Sequence, residues 1–126
     1  MTVDEIMRHA DRMALVTAHT TVKETLLKMT QARCGSAIII DSDESLLGIF
    51  TDGDFRRHAE HDISILGRQI IDVMTPKPIT IIAGSLAIEV IKLIEDKRIN
   101  DIVVVNKAQK VVGLIDVQDL PGFKLM

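Results

Sequence analysis

Apolar residues along the chain fall into two alternating periods. In Thr21-Val-Lys-Glu-Thr-Leu-Leu-Lys-Met29 and its continuation, Val22, Leu26, Met29 and Arg33 stand at i, i+4, i+7 and i+11, which is one face of a helix. Thr21 reads as the N-cap, Glu24 completes a capping box, and Gly35 stands where the helix should stop. Ala37–Ile40 is then apolar without interruption. It is too short for a helix and too continuous for a half-exposed strand, so it predicts a strand buried on both faces. The polar turn Asp41-Ser-Asp-Glu-Ser45 leads into a return strand, Leu46–Thr51, and an Asp-containing turn opens a second helix.

The same order then returns. Ser85-Leu-Ala-Ile-Glu-Val-Ile-Lys-Leu93 repeats the helix at an offset of 64, with Ser85 as cap and Leu86, Val90, Leu93 and Ile94 as the stripe. Ile102–Val105 and Val111–Ile115 repeat the two strands at an offset of 65, around the turn Asn106-Lys-Ala-Gln-Lys110. Short flags, Glu5-Ile-Met7 and Asp72-Val-Met74, precede the copies. The stretch from His58 to Ile71 joins them, and Thr75-Pro-Lys-Pro78 forces an extended approach to the second. The expected architecture is α/β, strand-helix-strand-strand-helix twice over: repeat 1 in residues 1–60, a linker in 61–71 and repeat 2 in 72–126. One copy is marginal alone, so the two should share a core with pseudo-twofold symmetry and a cleft between them.

Composition narrows the function. With 15 Lys plus Arg against 18 Asp plus Glu the formal charge is −3, unlike a polyanion binder. Three Phe with no Tyr or Trp leave no base-stacking platform, so nucleic acid is not an expected partner. Ile and Val together number 29, which suits pleated strands. Cys34 is the single cysteine, which excludes a disulfide scaffold and suits a small buried side chain. Met1–Arg12 has no signal-peptide core and no apolar run approaches the length of a membrane span, so a cytoplasmic protein without a membrane partner is expected.

Candidate chemistry concentrates in Gly48-Ile-Phe-Thr-Asp-Gly-Asp-Phe-Arg-Arg57, where a strand ends at Thr51, a tight turn follows at Gly53 and a helix begins near Asp54. Free amides at a helix start favour an anion, and the Thr51 hydroxyl can donate to a phosphate oxygen. Arg56 or Arg57 can add a charge-assisted contact, and the two oxygens of Asp54 suit a pair of ribose hydroxyls. Thr51-x-x-Asp54 is equally a plain capping box, and the two roles are compatible. The second copy has Asp116-x-x-Asp119, and a carboxylate at 116 repels phosphate, so one good site is expected, with Asp119 still able to hold a ribose. His58-x-x-His61 reads as a solvated pair, Asp41-Ser-Asp43 lacks the glycine of a calcium loop, and no catalytic constellation accompanies the acids at 52, 54, 116 and 119. No catalytic residue, metal or cofactor is therefore expected.

The doubled pattern, with Val73-Met-Thr75, the Ile/Val strands and the turns at Gly48–Asp54 and Gly113–Asp119, resembles a pair of CBS domains, a Bateman module, over essentially the whole chain. More narrowly, Leu47–Arg57 is similar to the C-terminal CBS region of D-arabinose-5-phosphate isomerases, which interconvert ribulose 5-phosphate and arabinose 5-phosphate for Kdo and lipopolysaccharide synthesis. The resemblance implies a regulatory module without its own activity, with the isomerase domain lying upstream in the parent enzyme. It implies a nucleotide or nucleotide-sugar partner, CMP-Kdo or an adenine nucleotide, with Thr51 and Asp54 in the phosphate and ribose roles. Val16 and Thr17, Ser36 and Ala37, and Thr80, Ile81 and Ile82 would line the cleft. Self-association is implied too, as a homodimer or a tetramer through the parent enzyme; the alternative reading is a ligand-free assembly module.

Overall fold

Branched aliphatics form the centre of two small sheets. The computed structural model describes residues 1–120, and the chain divides into two compact units: Asp11–Pro78, the first unit, and Met1–Ala10 with the stretch from Ile79 onward, the second.

In the first unit β1 (Ala14–Thr17), β2 (Ser36–Ile40), β3 (Leu46–Thr51) and β4 (Thr75–Pro76) form one sheet in that order. β1 and β2 run parallel, which demands a crossover, and α1 (Val22–Ala32) supplies it. β2 and β3 are an antiparallel hairpin, and α2 (Asp52–Ala59) follows β3 without a break. Ile38, Ile39 and Phe50 are wholly buried, as the uninterrupted apolar run predicts. The hairpin turn is built by Asp41, whose Oδ1 accepts from the amides of Asp43 at 2.8 Å and Ser45 at 3.0 Å.

Thr21 caps α1, its hydroxyl accepting from Glu24 N–H at 3.1 Å. The buried face is Val22, Thr25, Met29 and Ala32, rotated from the predicted stripe, and Leu26 is only half-buried. The helix also stops earlier than Gly35 suggests. Arg33 takes the left-handed conformation (φ 53°) and returns its N–H to the Met29 and Thr30 carbonyls, so it is an exposed cap and not part of the core stripe.

The second unit repeats this plan with β5 (Thr80–Ile82), α4 (Ala87–Lys97), β6 (Asp101–Val105) and β7 (Val111–Asp116), β5 parallel and β7 antiparallel to β6. The irregularity between Ile39 and Ile40 recurs between Val104 and Val105. Ser85 is not the cap of α4. Leu86 holds that position, its N–H bonded to the Glu89 carboxylate at 2.8 Å, while the Ser85 carbonyl accepts from Val3 N–H at 2.8 Å. Where the first copy opens α2, the second has a single 3-10 turn, Val117–Asp119, before Leu120. No helix among the described residues is long and apolar enough to cross a membrane.

The two short flags each pack on the copy that they do not precede. Met74 lies over Gly48, where a Cβ would stand 2.5 Å from its sulfur and 2.7 Å from the Thr75 carbonyl oxygen. Met7 lies in the same way over Gly113 of the second unit. Gly48 is thus required by a close approach of backbone to sheet, while at Gly113 the close atoms belong chiefly to the Met7 side chain. Val3 is wholly buried with Ile81, Val90, Ile94, Ile102, Val104, Ile115 and Leu120, so the amino-terminal segment contributes to a core built from the second half of the sequence. The stretch between the copies is anchored as well: Ile65 and Ile70 are buried, and α3 (Ile70–Val73) leads directly into β4.

Candidate functional site

The β3–α2 junction places four of the expected residues together. Ser36 at the start of β2 faces Thr51 at the end of β3. Thr51 keeps extended backbone geometry (φ −112°, ψ 166°) and caps α2, its Oγ1 accepting from Asp54 N–H at 3.1 Å. Asp54 answers with Oδ2, which accepts from Thr51 N–H at 2.9 Å, while its Oδ1 accepts from the Arg57 guanidinium. Gly53 is not the turn residue expected from the sequence. It lies within the first turn of α2 without a positive φ, and a Cβ there would meet only ordinary contacts.

Chemically this junction keeps spare capacity. The amides of Asp52 and Asp54 are used, the former by the Gly35 carbonyl at 3.0 Å, which leaves that of Gly53 for an outside acceptor. The Thr51 hydroxyl accepts one bond and still has its hydrogen to give. Asp54 is buried, but its partner Arg57 is 70% exposed in its side chain, so the pair contributes roughly 0–1 kcal/mol and yields readily to another donor. A diol can therefore share the Asp54 carboxylate if Arg57 swings aside.

The equivalent junction of the second unit is charged differently. Asp101 faces Asp116, and Asp116 caps the 3-10 turn through Oδ1 and Gln118 N–H at 2.9 Å. Asp119, the counterpart of Asp54, is held by Arg8 in a fork, Nε to Oδ2 at 2.6 Å and Nη2 to Oδ1 at 3.1 Å. Arg8 Nη2 also lies 3.9 Å from Asp116 Oδ2. Two hydroxyls, one carboxylate and an exposed guanidinium in the first junction thus correspond to three carboxylates and a mostly buried guanidinium here. Arg8 was not singled out by sequence reasoning. The available signal was the flag repeat: Arg8 follows Met7 and bridges to Leu114, just as Thr75 follows Met74 and pairs with Ile49.

The remaining expected residues are not gathered at these junctions. Val16 is buried and Thr17 exposed at the far end of β1, in register with Ile39 and Ile40, so Val16 is about 10 Å along the strand from Ser36. The β1 residue level with Ala37 is Ala14. Thr80, Ile81 and Ile82 pair with Val103, Val104 and Val105, two or more positions beyond Asp101. Arg56 is exposed on α2. His58 and His61 line an open depression of about 510 Å³ with Arg57, Glu60 and Asp62, and His58 Nε2 lies 3.1 Å from the Val73 carbonyl oxygen. No cluster that could hold a metal ion occurs among the described residues. At the rim of that depression the Arg68 guanidinium, helped by Ser64 N–H, holds the Asp62 carboxyl below its ordinary pKa.

Two copies of one fold, each with an Asp-bearing strand-to-helix junction, match a known pattern. The sequence profile of the CBS domain fits residues 3–61 and again 70–120. The chain belongs to the CBS-domain family. Among curated relatives, the arabinose 5-phosphate isomerase KdsD of Pseudomonas aeruginosa is 34% identical and that of Escherichia coli 31% identical, each over 118 residues. The match takes in 94% of this chain but 36% of those enzymes, so the chain spans about a third of the length of these relatives. Among solved structures, the CBS domain NE2398 superposes with a TM-score of 0.84 at 22% identity, covering the whole chain and 98% of that one. CBSX2 in complex with AMP gives 0.80 at 21% identity over 98% and 96% of the two chains. The MJ0100 CBS pair in complex with 5′-methylthioadenosine and S-adenosyl-L-methionine gives 0.83 at 19%, over 94% and 91%. These likenesses show a CBS-pair fold.

Proposed function

We propose that this CBS pair is a regulatory module that binds a nucleotide or nucleotide sugar at the Thr51–Asp54 junction and controls an attached arabinose-5-phosphate isomerase domain. The observation that carries the reading is the junction itself: a capping hydroxyl with a hydrogen to donate, a spare amide at Gly53, and a buried carboxylate whose present partner is exposed. Solved CBS pairs of the same fold hold AMP or S-adenosyl-L-methionine, which supports an adenine nucleotide; the likeness to KdsD supports CMP-Kdo, the product of the pathway that such an enzyme feeds. Regulation follows from differential affinity: a ligand that binds one arrangement of the module better shifts the enzyme toward it. The chain alone is expected to leave ribulose 5-phosphate unconverted, because Asp54, Asp116 and Asp119 are engaged in caps and ion pairs and no catalytic constellation accompanies them.

Titration of the chain with AMP, ATP, CMP and CMP-Kdo, followed by thermal shift and calorimetry, tests this. A ligand at 100 times its Kd is expected to add about 2.7 kcal/mol to stability. Thr51→Val and Asp54→Ala should each abolish the response. Normal binding by both variants would place the site elsewhere, and silence across all four ligands would leave the module as an assembly element.

A further inference from the structure

Arg8 differs from Arg57 and Arg68, which also pair with acids. The side chain of Arg57 is 70% exposed and that of Arg68 is 54% exposed; that of Arg8 is 12% exposed and meets a carboxylate 111 residues away. Its backbone is fixed at the same place, Arg8 N–H to the Leu114 carbonyl at 2.7 Å and Leu114 N–H back to the Arg8 carbonyl at 3.0 Å. The residue before it packs on Gly113, and Val3 is in the core.

We infer that Arg8 is the resident occupant of the second junction: its guanidinium takes the Asp119 carboxylate, clasps Met1–Ala10 to the β6–β7 hairpin and closes that junction to anionic ligands. Three steps lead there. Asp101, Asp116 and Asp119 bring three carboxylates to one strand-to-turn junction, the first two paired across the strands, and the Arg8 guanidinium stands against Asp116 and Asp119. A guanidinium fork matches a carboxylate bidentately, and at this burial neither partner is easily given up to water. The same fork uses the carboxylate oxygens that a ribose would need, while Asp116 repels phosphate. The clasp stands on geometry alone; the statement about ligands rests on the nucleotide reading of the Thr51 junction. By linkage, anything that held the segment away from the β6–β7 hairpin would open the junction, and anything that entered the junction would loosen the segment.

Nuclear magnetic resonance of the whole chain, with and without saturating AMP, tests both parts. Without ligand, the Arg8 Nε–H of the wild type should exchange with water at least tenfold more slowly than that of Arg56. In Arg8→Gln and in the isosteric Asp119→Asn, the amides of Arg8 and Leu114 should exchange at least tenfold faster, while that of Ile38 in the first unit stays within twofold. Free exchange of the wild-type Arg8 Nε–H, a measurement that needs no variant to fold, would overturn the clasp. Unchanged amides in both variants would overturn it as well. With AMP, resonances of Thr51–Arg57 should shift and those of Asp116–Asp119 should not, with Arg8 Nε–H still protected; shifts at Asp116–Asp119 would overturn the closed junction. If AMP moves neither set, this nucleotide is not the ligand of the first junction, and the clasp is still decided by the exchange rates.

Discussion

The Thr51–Asp54 and Asp116–Asp119 junctions share a backbone plan and differ in where their countercharge comes from. Asp54 is met by Arg57, three residues along its own helix and largely in solvent. Asp119 is met by Arg8, from the other end of the chain and largely buried. A local, solvated partner costs little to displace, which suits the exchange for a ligand proposed at the first junction. A remote, mostly buried partner suits the clasp proposed at the second. The same strand hairpin thus carries two different ion pairs, decided by the side chains at a few positions.

Substitution of the two arginines separates the junctions most sharply. Arg8→Gln should lower stability by about 3 kcal/mol, because it removes a mostly buried guanidinium from Asp119 and Asp116. Arg57→Gln should cost at most about 1 kcal/mol. Urea denaturation of both variants measures the difference, and equal losses would erase the distinction. The paired glycines come next. Gly48→Ala forces a Cβ against the Thr75 backbone and is expected to cost about 2–3 kcal/mol. Gly113→Ala mainly meets the flexible Met7 side chain and should cost about 1 kcal/mol, read in the same denaturation series. An effect of similar size in both units is expected at the caps. Thr51→Ala and Asp116→Ala each remove a side-chain acceptor from a turn amide, worth about 1 kcal/mol by thermal melts, but only the former should also lose ligand response.

The smallest effect belongs to the first unit alone. The native pKa of Asp62 is lowered, so its ion pair with Arg68 stabilises the fold above the unfolded carboxyl pKa of about 4, and that contribution disappears as pH falls through the native value. Asp62→Asn should flatten this acid limb slightly in a Tm-against-pH series, with no change near neutrality beyond the lost pair.

Much of this was legible in the sequence because it is local. The Thr51–Asp54 box involves residues three apart, and the Asp41 and Asn106 turns are each closed within five residues. The strands announced themselves by unbroken branched aliphatics. The levels of Val16 and Thr17, opposite Ile39 and Ile40, were not legible for a definable reason: they depend on the register of β1 on β2, and a parallel pair joined by a helix has no turn to set that register. The stripe of α1 was misplaced by one position because the buried hydroxyl of Thr25, satisfied by the Thr21 carbonyl at 2.8 Å, behaves as a core residue.

By itself, then, the amino-acid order determined the doubled α/β pattern, the strand-helix-strand-strand order of each copy and one capped junction at Thr51–Asp54, all of which follow from periodicity and contacts within a few residues. Tertiary structure alone decided which flag packs on which copy, which end of each strand faces the junction, and that Arg8 answers Asp119. Those pairings join residues far apart in the chain, and their partners are chosen by burial and charge neutralisation, which no local pattern encodes.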